Sequence, residues 1–533
     1  MNSIKAATQK AKHASISNVA FLLMTTTFLG QILGFLRTKL VNANFPIYGP
    51  HSTDAYFAAF NVPDFFFFTL SAGALGVALM PVLSDRYHKG GGTKSAWEIS
   101  ISLLNFLAII MFFVGVFILI FANYLISHVV APGLPPAQVH TAATIMRFLA
   151  FNPLLFTVSG ILASVQQTFG RFFYYAIAPL FYNLSIIVSI FIFKNNIGLI
   201  GLGIGALVGA VAQLIVIGSG AVSLDFHWLP EIRWKSKDFH TVLRNLPPRS
   251  LDQGMDQVED IVETHIASGL ASGSITDYNN AYVLSTAPIL LLGTAISTAA
   301  FPRLNARLSQ GRPDLFRKDF LKVLRAMIWI SAPIVVISYF SRGYLARLIY
   351  TKGNDQISII FGFLTFAIFF RIIYSIVSRW FYSHKDTKTP LFVSIFAVLL
   401  NVVLAYTLSR PSAYNVAGLA IAQSIVAGTE VTILSIIMVL RDHKLFDRVF
   451  ISGVVRIMSV TGFSIVAGFI MITIYPLGIN DRGFFVLGSR LAIIGIVTML
   501  VHIGVSALFD LDEVKPIFNR IKRLASKPVN YEV

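Results

Sequence analysis

Near the middle of the chain four carboxylates recur at helical spacing. Asp252, Asp256, Glu259 and Glu263 stand at i, i+4, i+7 and i+11, with Gln253 and Asp260 beside them. At 3.6 residues per turn they share one face of a helix. Such a stripe cannot face lipid, so it must meet water or cations. Two placements satisfy that demand: a helix lying on an aqueous surface, or one wall of a hydrated cavity. In a cavity, crowded carboxylates hold protons more tightly and could bind protons, cations or an amine. The opposite face, with Met255, Val258, Ile261, Val262 and Ile266, suits packing on one side only.

A second group of ionisable residues lies inside apolar runs. Arg37 closes the first run and Asp54 opens the second; Arg147, Arg371, Glu430, Arg456 and Arg490 fall within later ones. Each costs ~2.5–3.5 kcal/mol at mid-bilayer, so each needs a partner, a route to the interface, or a task. Arg456 and Arg490 can snorkel or pair. Arg371 and Glu430 cannot easily reach an interface.

The elements that must position these residues are membrane helices. Of 533 residues 55% are hydrophobic and 13% charged, against about 25% charged in soluble domains. Mean hydropathy is +0.72. Apolar runs of about 20 residues repeat along the chain, each long enough to span a bilayer. Their spacing predicts about fourteen helices, with cores near 16–36, 54–82, 98–126, 141–166, 172–193, 197–223, 249–270, 277–302, 322–341, 356–382, 389–408, 415–440, 450–475 and 484–509. The first follows Lys5, Lys10 and Lys12 without a small-x-small cleavage site, so it reads as a retained helix rather than a signal peptide. With no cysteine, thiolate metal sites, disulfides and Cys nucleophiles are excluded.

The net charge of +17 comes from 42 Lys+Arg against 25 Asp+Glu. In a membrane protein that reflects basic inner loops rather than nucleic acid. Arg86, Lys89 and Lys94, then Arg233, Lys235 and Lys237, then Arg303, Arg307 and Arg312 mark those loops, whereas 44–53 and 123–138 contain none. The pattern predicts both termini in the cytoplasm. Residues 511–533, with Ile517, Phe518 and Ile521 among Arg520, Lys522 and Arg523, read as a basic amphipathic tail at the membrane surface.

The two halves resemble each other. "GALGVALMPVL" before Leu83 returns as "GTAISTAAFPRL" before Leu304, "APLFYN" returns as "TPLFVS", and "IGLIGLGIGA" as "NVAGLAIAQS". Offsets of about 211–221 residues span six helices each time, which makes the repeats parallel. The predicted architecture is therefore all-α and polytopic. Two parallel six-helix lobes, 1–223 and 224–445, surround a central cavity, with two further helices at 446–510. No nucleotide-binding loop, HExxH or GxSxG occurs, which argues against a primary pump and against an enzyme. "GLGIGALVGA" is a small-residue stripe suited to close helix packing.

Several longer stretches are similar to the MurJ/MviN lipid II flippases of the multidrug/oligosaccharidyl-lipid/polysaccharide exporter superfamily. They are "LGFLRTKLV", "TDAYFAAFNVPDF", "QQTFGRFFYYAIAPLFYN", "ASGLASGSIT" and "FYSHKDTKTP", in order over nearly the whole chain. The resemblance implies fourteen helices, a cationic central cavity and alternating access, in a bacterial cytoplasmic membrane. It implies a substrate, lipid II, whose pyrophosphate needs arginines. Arg37 matches a family cavity arginine and Asp54 the acid that opens helix 2; Arg371 joins them as a candidate cavity residue. Other basic positions are gone: Gln31 stands at one, Phe67 and Phe68 at two more, Val283 at a fourth, and Ala72 replaces a glutamate. Phe67 and Phe68 become candidates for narrowing the cavity or lining a lipid portal. A sodium site seen in some members would use Glu263, Asn401 and Val416, but Ala405 and Ala420 supply no side-chain oxygen there.

The leading expectation is a flippase that moves undecaprenyl-pyrophosphate-linked peptidoglycan precursor outward without a bound cofactor, drawing on sodium, protons or the membrane potential. Its partners would be that lipid, the surrounding membrane lipids and cell-wall synthesis proteins. The alternatives are a cation- or proton-coupled exporter or a polysaccharide-lipid flippase of the same superfamily, and a scaffold that recruits cell-wall partners.

Overall fold

The computed structural model describes residues 16–72, 79–87, 92–224, 226–349, 355–479, 481, 483–516 and 519, with side chains from Leu22 onward except at 71–72, 245, 247–253 and 349. All regular structure among them is helical. In chain order the elements are α1 (Ile16–Asn44), α2 (Asp54–Phe67) with a π-helical turn (Phe68–Ala72), α3 (Met80–Arg86), α4 (Gly92–Tyr124) with a π-helical turn (Leu125–Val130), α5 (Pro136–Leu149), α6 (Asn152–Thr168), α7 (Phe173–Phe193) and α8 (Ile200–Val222). Then follow α9 (Lys237–Ser268), α10 (Ser274–Pro288) with a π-helical turn (Ile289–Thr294), α11 (Ala295–Ser309), α12 (Pro313–Phe340), α13 (Arg342–Ile349), α14 (Asp355–Ser383), α15 (Lys388–Leu408), α16 (Ala417–Arg441), α17 (Arg448–Ile474) and α18 (Phe484–Leu508).

A helix is what such apolar runs must form, because hydrocarbon offers no partner to an open backbone N–H or C=O. Eleven helical stretches among the described residues are long and apolar enough to cross a membrane. The three other predicted helices are helical too, as α1, α2 and α9. The helix expected at 249–270 is longer than expected. It begins at Lys237 and runs through Pro247 and Pro248, residues that disfavour a helix interior. The predicted tail helix falls largely on 517–518 and 520–533, outside the described residues.

The repeat is visible in the element order. Helix starts at 16, 54, 92, 136, 173 and 200 recur at 237, 274, 313, 355, 388 and 417, so the second set trails the first by 215–221 residues. The π-helical turns starting at 68 and 289 keep the same offset. Helices α17 and α18 follow the second set.

Contacts divide the chain into two compact units, Met1–Thr276 and Asp277–Val533. In the first, α4, α6, α8 and α9 share a core that includes Leu103, Ile161, Ile217 and Phe239. The glycine stripe of α8 meets α7: a Cβ on Gly205 would lie 2.2 Å from Ser189 Oγ, and one on Gly209 2.9 Å from the Tyr182 carbonyl. Small residues there permit backbone approach, as their spacing predicted. Helix α9 packs against α2 and its π-helical turn. A Cβ on Gly254 would lie 2.9 Å from Thr69 Oγ1 at that contact.

In the second unit α16 packs against both α14 and α15, and α17 and α18 pack on each other and on α12. Polar side chains fasten that last group: Trp329 Nε1 donates to Ser506 Oγ at 2.9 Å, and Ser464 Oγ lies 2.8 Å from His502 Nδ1. The "FYSHKDTKTP" segment makes the α14–α15 turn. There Asp386 accepts from the Lys388 and Thr389 N–H groups and the Thr389 hydroxyl, and from Arg441 Nη1 at 2.6 Å.

Candidate functional site

The start of α2 is fastened to the segment before α10. Asp54 is 2% exposed. Its Oδ1 accepts from the Thr276 N–H at 2.8 Å and the Thr276 hydroxyl at 2.7 Å; its Oδ2 accepts from the Gly273 N–H at 2.6 Å. Thr53 Oγ1 lies 3.0 Å from Thr276 Oγ1, and the Gly49 N–H donates to Ser272 Oγ at 2.9 Å. Thr276 lies in the first turn of α10, whose N–H groups have no partner within the helix, and Gly273 immediately precedes that turn. Asp54 thus serves as a cap supplied from another helix, with both carboxylate oxygens engaged. Gly273 has φ +92°, and a Cβ there would lie 2.4 Å from the Tyr48 ring. This turn admits glycine for both reasons.

Arg37 has a different setting. It lies half-buried near the end of α1. Among the described residues no hydrogen bond or ion pair reaches its guanidinium. Its charge acts on Asp64 and Tyr56 of α2 and on Tyr182 of α7. The Asp64 carboxylate likewise has neither a hydrogen bond nor an ion pair among the described residues. Asp64 stands inside the "NVPDF" stretch, where its only sequence signal is one more carboxylate in an apolar helix.

Phe67 lies one turn beyond Asp64. Its ring meets Phe68 at 5.1 Å and Phe156 of α6 at 5.4 Å, and Phe156 meets Tyr182 at 5.3 Å. Both Phe67 and Phe68 are half-buried. An aromatic chain therefore runs from α2 through α6 to α7, within the first unit.

The acidic stripe on α9 divides. Glu259 and Glu263 are 6% and 1% exposed, whereas Asp256 is exposed and Asp260 half-buried. The side chain of Asp252 lies outside the described residues. Met255, Val258, Ile261, Val262 and Ile266 are only half-buried. The two glutamates are thus more buried than the apolar positions, enclosed by protein as a carboxylate in a membrane protein requires. Thr264, beside Glu263, donates to Asn61 Oδ1 of α2 at 3.4 Å.

In the second unit Arg371 and Glu430 meet. Arg371 Nη1 donates to Glu430 Oε2 at 3.4 Å and its Nη2 to Gln423 Oε1 at 3.3 Å. Ser394 donates to Glu430 Oε1 at 2.7 Å, and Tyr374 Oη lies 3.2 Å from Ser394 Oγ. Glu430 and Gln423 are buried, and Arg371 is partly so. Asn401 is buried two turns beyond Ser394 on α15, and Ala405 and Ala420 nearby are fully buried. Elsewhere Arg490 pairs with Asp481 at 2.5 Å, and Arg456 is exposed.

A family model described as "Lipid II flippase MurJ" matches residues 50–493. The chain belongs to the MurJ lipid II flippase family. Among curated proteins it is similar to "Probable lipid II flippase MurJ" of Buchnera aphidicola subsp. Acyrthosiphon pisum (strain APS), 26% identical over 80% of this chain and 83% of that one. Among solved structures it is similar to a lipid II flippase MurJ in an inward closed conformation, with a TM-score of 0.76, 22% identity, and 92% and 98% of the two chains covered. It also shares its fold with an inward-facing MATE family transporter of the MOP superfamily, with a TM-score of 0.64, 15% identity, and 83% and 98% covered.

Membership in the MurJ family makes the chain a multi-pass membrane transporter and not an enzyme. The all-helical fold expected from the sequence is the MurJ and MATE fold. Of the positions that the resemblance gives to a sodium site, Glu263 of the first unit and Asn401 of the second are buried and Val416 offers only its backbone, while Ala405 and Ala420 offer methyl groups.

Proposed function

We propose that the chain moves lipid II from the inner to the outer leaflet of a bacterial cytoplasmic membrane by alternating access, with both termini in the cytoplasm. The observation that carries this reading is Arg37. A half-buried guanidinium with no hydrogen bond or ion pair among the described residues is ready for an anion. Pyrophosphate suits it, because guanidinium nitrogens pair with phosphate oxygens two at a time. Asp54 acts through position, holding the start of α10 against α2. Phe67 and Phe68 supply an apolar lining beside Arg37's neighbours. The lobes of the transport cycle are taken as the repeats, 1–223 and 224–445, with 446–510 appended.

A coupling role for the acids of α9 draws support from Glu259 and Glu263, since two carboxylates buried at 6% and 1% exposure are costly to keep without a task. Cell-wall synthesis proteins remain the partners expected at the cytoplasmic loops.

Complementation tests the reading. In a bacterium depleted of its own flippase, the wild-type chain should restore growth. Arg37→Ala should insert normally and fail to restore it, because a charge-assisted contact contributes about 1.5–3 kcal/mol, roughly 10-fold to 150-fold in affinity. Arg37→Lys should restore growth in part. Normal growth with Arg37→Ala would remove the phosphate role.

A further inference from the structure

We propose that Arg371 is a resident cation: its guanidinium fills a buried oxygen cradle of Glu430 and Gln423, with Ser394 as the carboxylate's second partner, in place of an inorganic ion. The cradle is built from three helices. Glu430 and Gln423 stand two turns apart on α16, and Arg371 of α14 spans them with its two terminal nitrogens at 3.4 and 3.3 Å. Ser394 of α15 donates to the other carboxylate oxygen at 2.7 Å, and Tyr374 of α14 adds a hydroxyl 3.2 Å from that serine. Glu430 is 3% exposed and Gln423 4%.

An ionised carboxylate so placed needs a positive charge beside it. Its oxygens, with the amide oxygen of Gln423, form a donor set of the hard kind that binds small cations. A side-chain guanidinium satisfies the same set and cannot leave or be diluted. The neighbouring positions agree. Ala405, one turn beyond Asn401 on α15, and Ala420, one turn before Gln423 on α16, are fully buried and carry no side-chain oxygen. The second unit then carries its own cation covalently, and its stability is indifferent to sodium. The stability test below does not depend on the transport reading above.

The experiment uses purified full-length protein in detergent, with thermal unfolding followed by tryptophan fluorescence. Wild-type midpoints should be the same in sodium chloride and choline chloride, and unmoved by 20 mM guanidinium chloride, a concentration on the order of one-hundredth of that used to unfold proteins. Arg371→Ala should lower the midpoint by about 5 °C or more. Guanidinium or sodium, but not choline, should recover at least half of that loss. Adding Glu430→Ala to Arg371→Ala should abolish the recovery. A midpoint equal to wild type in Arg371→Ala, or a loss that neither guanidinium nor sodium recovers, overturns the proposal. If Arg371→Ala does not fold, the neutral pair Arg371→Gln with Glu430→Gln decides. Folding of that pair supports charge compensation; its failure shows that side-chain shape, not charge, holds the seam.

Discussion

Asp54 and Arg37 sit at adjoining helix ends, and their surroundings predict opposite mutational signatures. In Asp54→Ala three donors lose their acceptor: the Gly273 N–H, the Thr276 N–H and the Thr276 hydroxyl. The hydroxyl can turn toward Thr53 Oγ1, 3.0 Å away, which leaves two buried backbone donors. Each stranded donor costs about 1–3 kcal/mol, and relief of the carboxylate's own desolvation returns part of the total. A net loss of roughly 2–4 kcal/mol follows, which at about 2–4 °C per kcal/mol lowers the midpoint by roughly 4–16 °C. Asp54→Asn keeps an oxygen for Thr276 but sets an NH2 group against the Gly273 N–H, so its loss should be about half as large. Thermal unfolding of purified protein, read beside growth in the flippase-depleted strain, separates structure from transport. Both variants should lose stability in that order, and activity at low temperature should survive in Asp54→Asn. A midpoint within about 1 °C of wild type in Asp54→Ala, together with failed growth, would refute the capping argument and return Asp54 to the substrate path.

Two further outcomes follow from geometry outside the membrane core. A Cβ on Gly133 would lie 2.2 Å from the Ser268 carbonyl oxygen. Gly133→Ala must therefore push backbone from backbone, and a fall in midpoint exceeding that of Gly488→Ala, whose Cβ meets nothing within 4 Å, checks it. Burial pushes the Asp386 carboxyl up, but the Thr389 hydroxyl and N–H and the Arg441 guanidinium outweigh it and hold it at about 2. A depressed folded value contributes stability that is fully present above the unfolded value of about 3.9 and lost as pH falls through about 2. The midpoint difference between wild type and Asp386→Asn should accordingly be constant from pH 8 to about 5 and shrink below about 4.

What the sequence made legible was whatever hydrocarbon dictates. Backbone satisfaction and bilayer thickness turn apolar runs into helices, so fourteen helical stretches and their six-helix repeat could be read without contacts. The cost of an ionisable group in lipid likewise singled out Arg371, Glu430 and Arg37. Pairing was not legible. Arg371 and Glu430 are 59 residues apart, and Asp54 meets Thr276 across 222; no local pattern encodes either distance. The period of the α9 stripe was visible, yet it could not say that Glu259 and Glu263 would be buried while Asp256 stays exposed, because that depends on which helix lies opposite. The start of α9 was not legible either: the helix runs from Lys237 through Pro247 and Pro248, residues that propensity alone places outside a helix interior.

The π-helical turns at Phe68–Ala72 and Ile289–Thr294 bear on ancestry. Such a turn holds one residue more than an α-helical turn and is rare. Two of them lie at matched places in the halves, and the spacing of 221 residues between them equals that between the starts of α4 and α12 downstream. Had each half gained its extra residue separately, the matched placement would be a coincidence. The simpler history has a six-helix ancestor that already carried the insertion and was then duplicated with it. On that history the widened turn is older than the duplication.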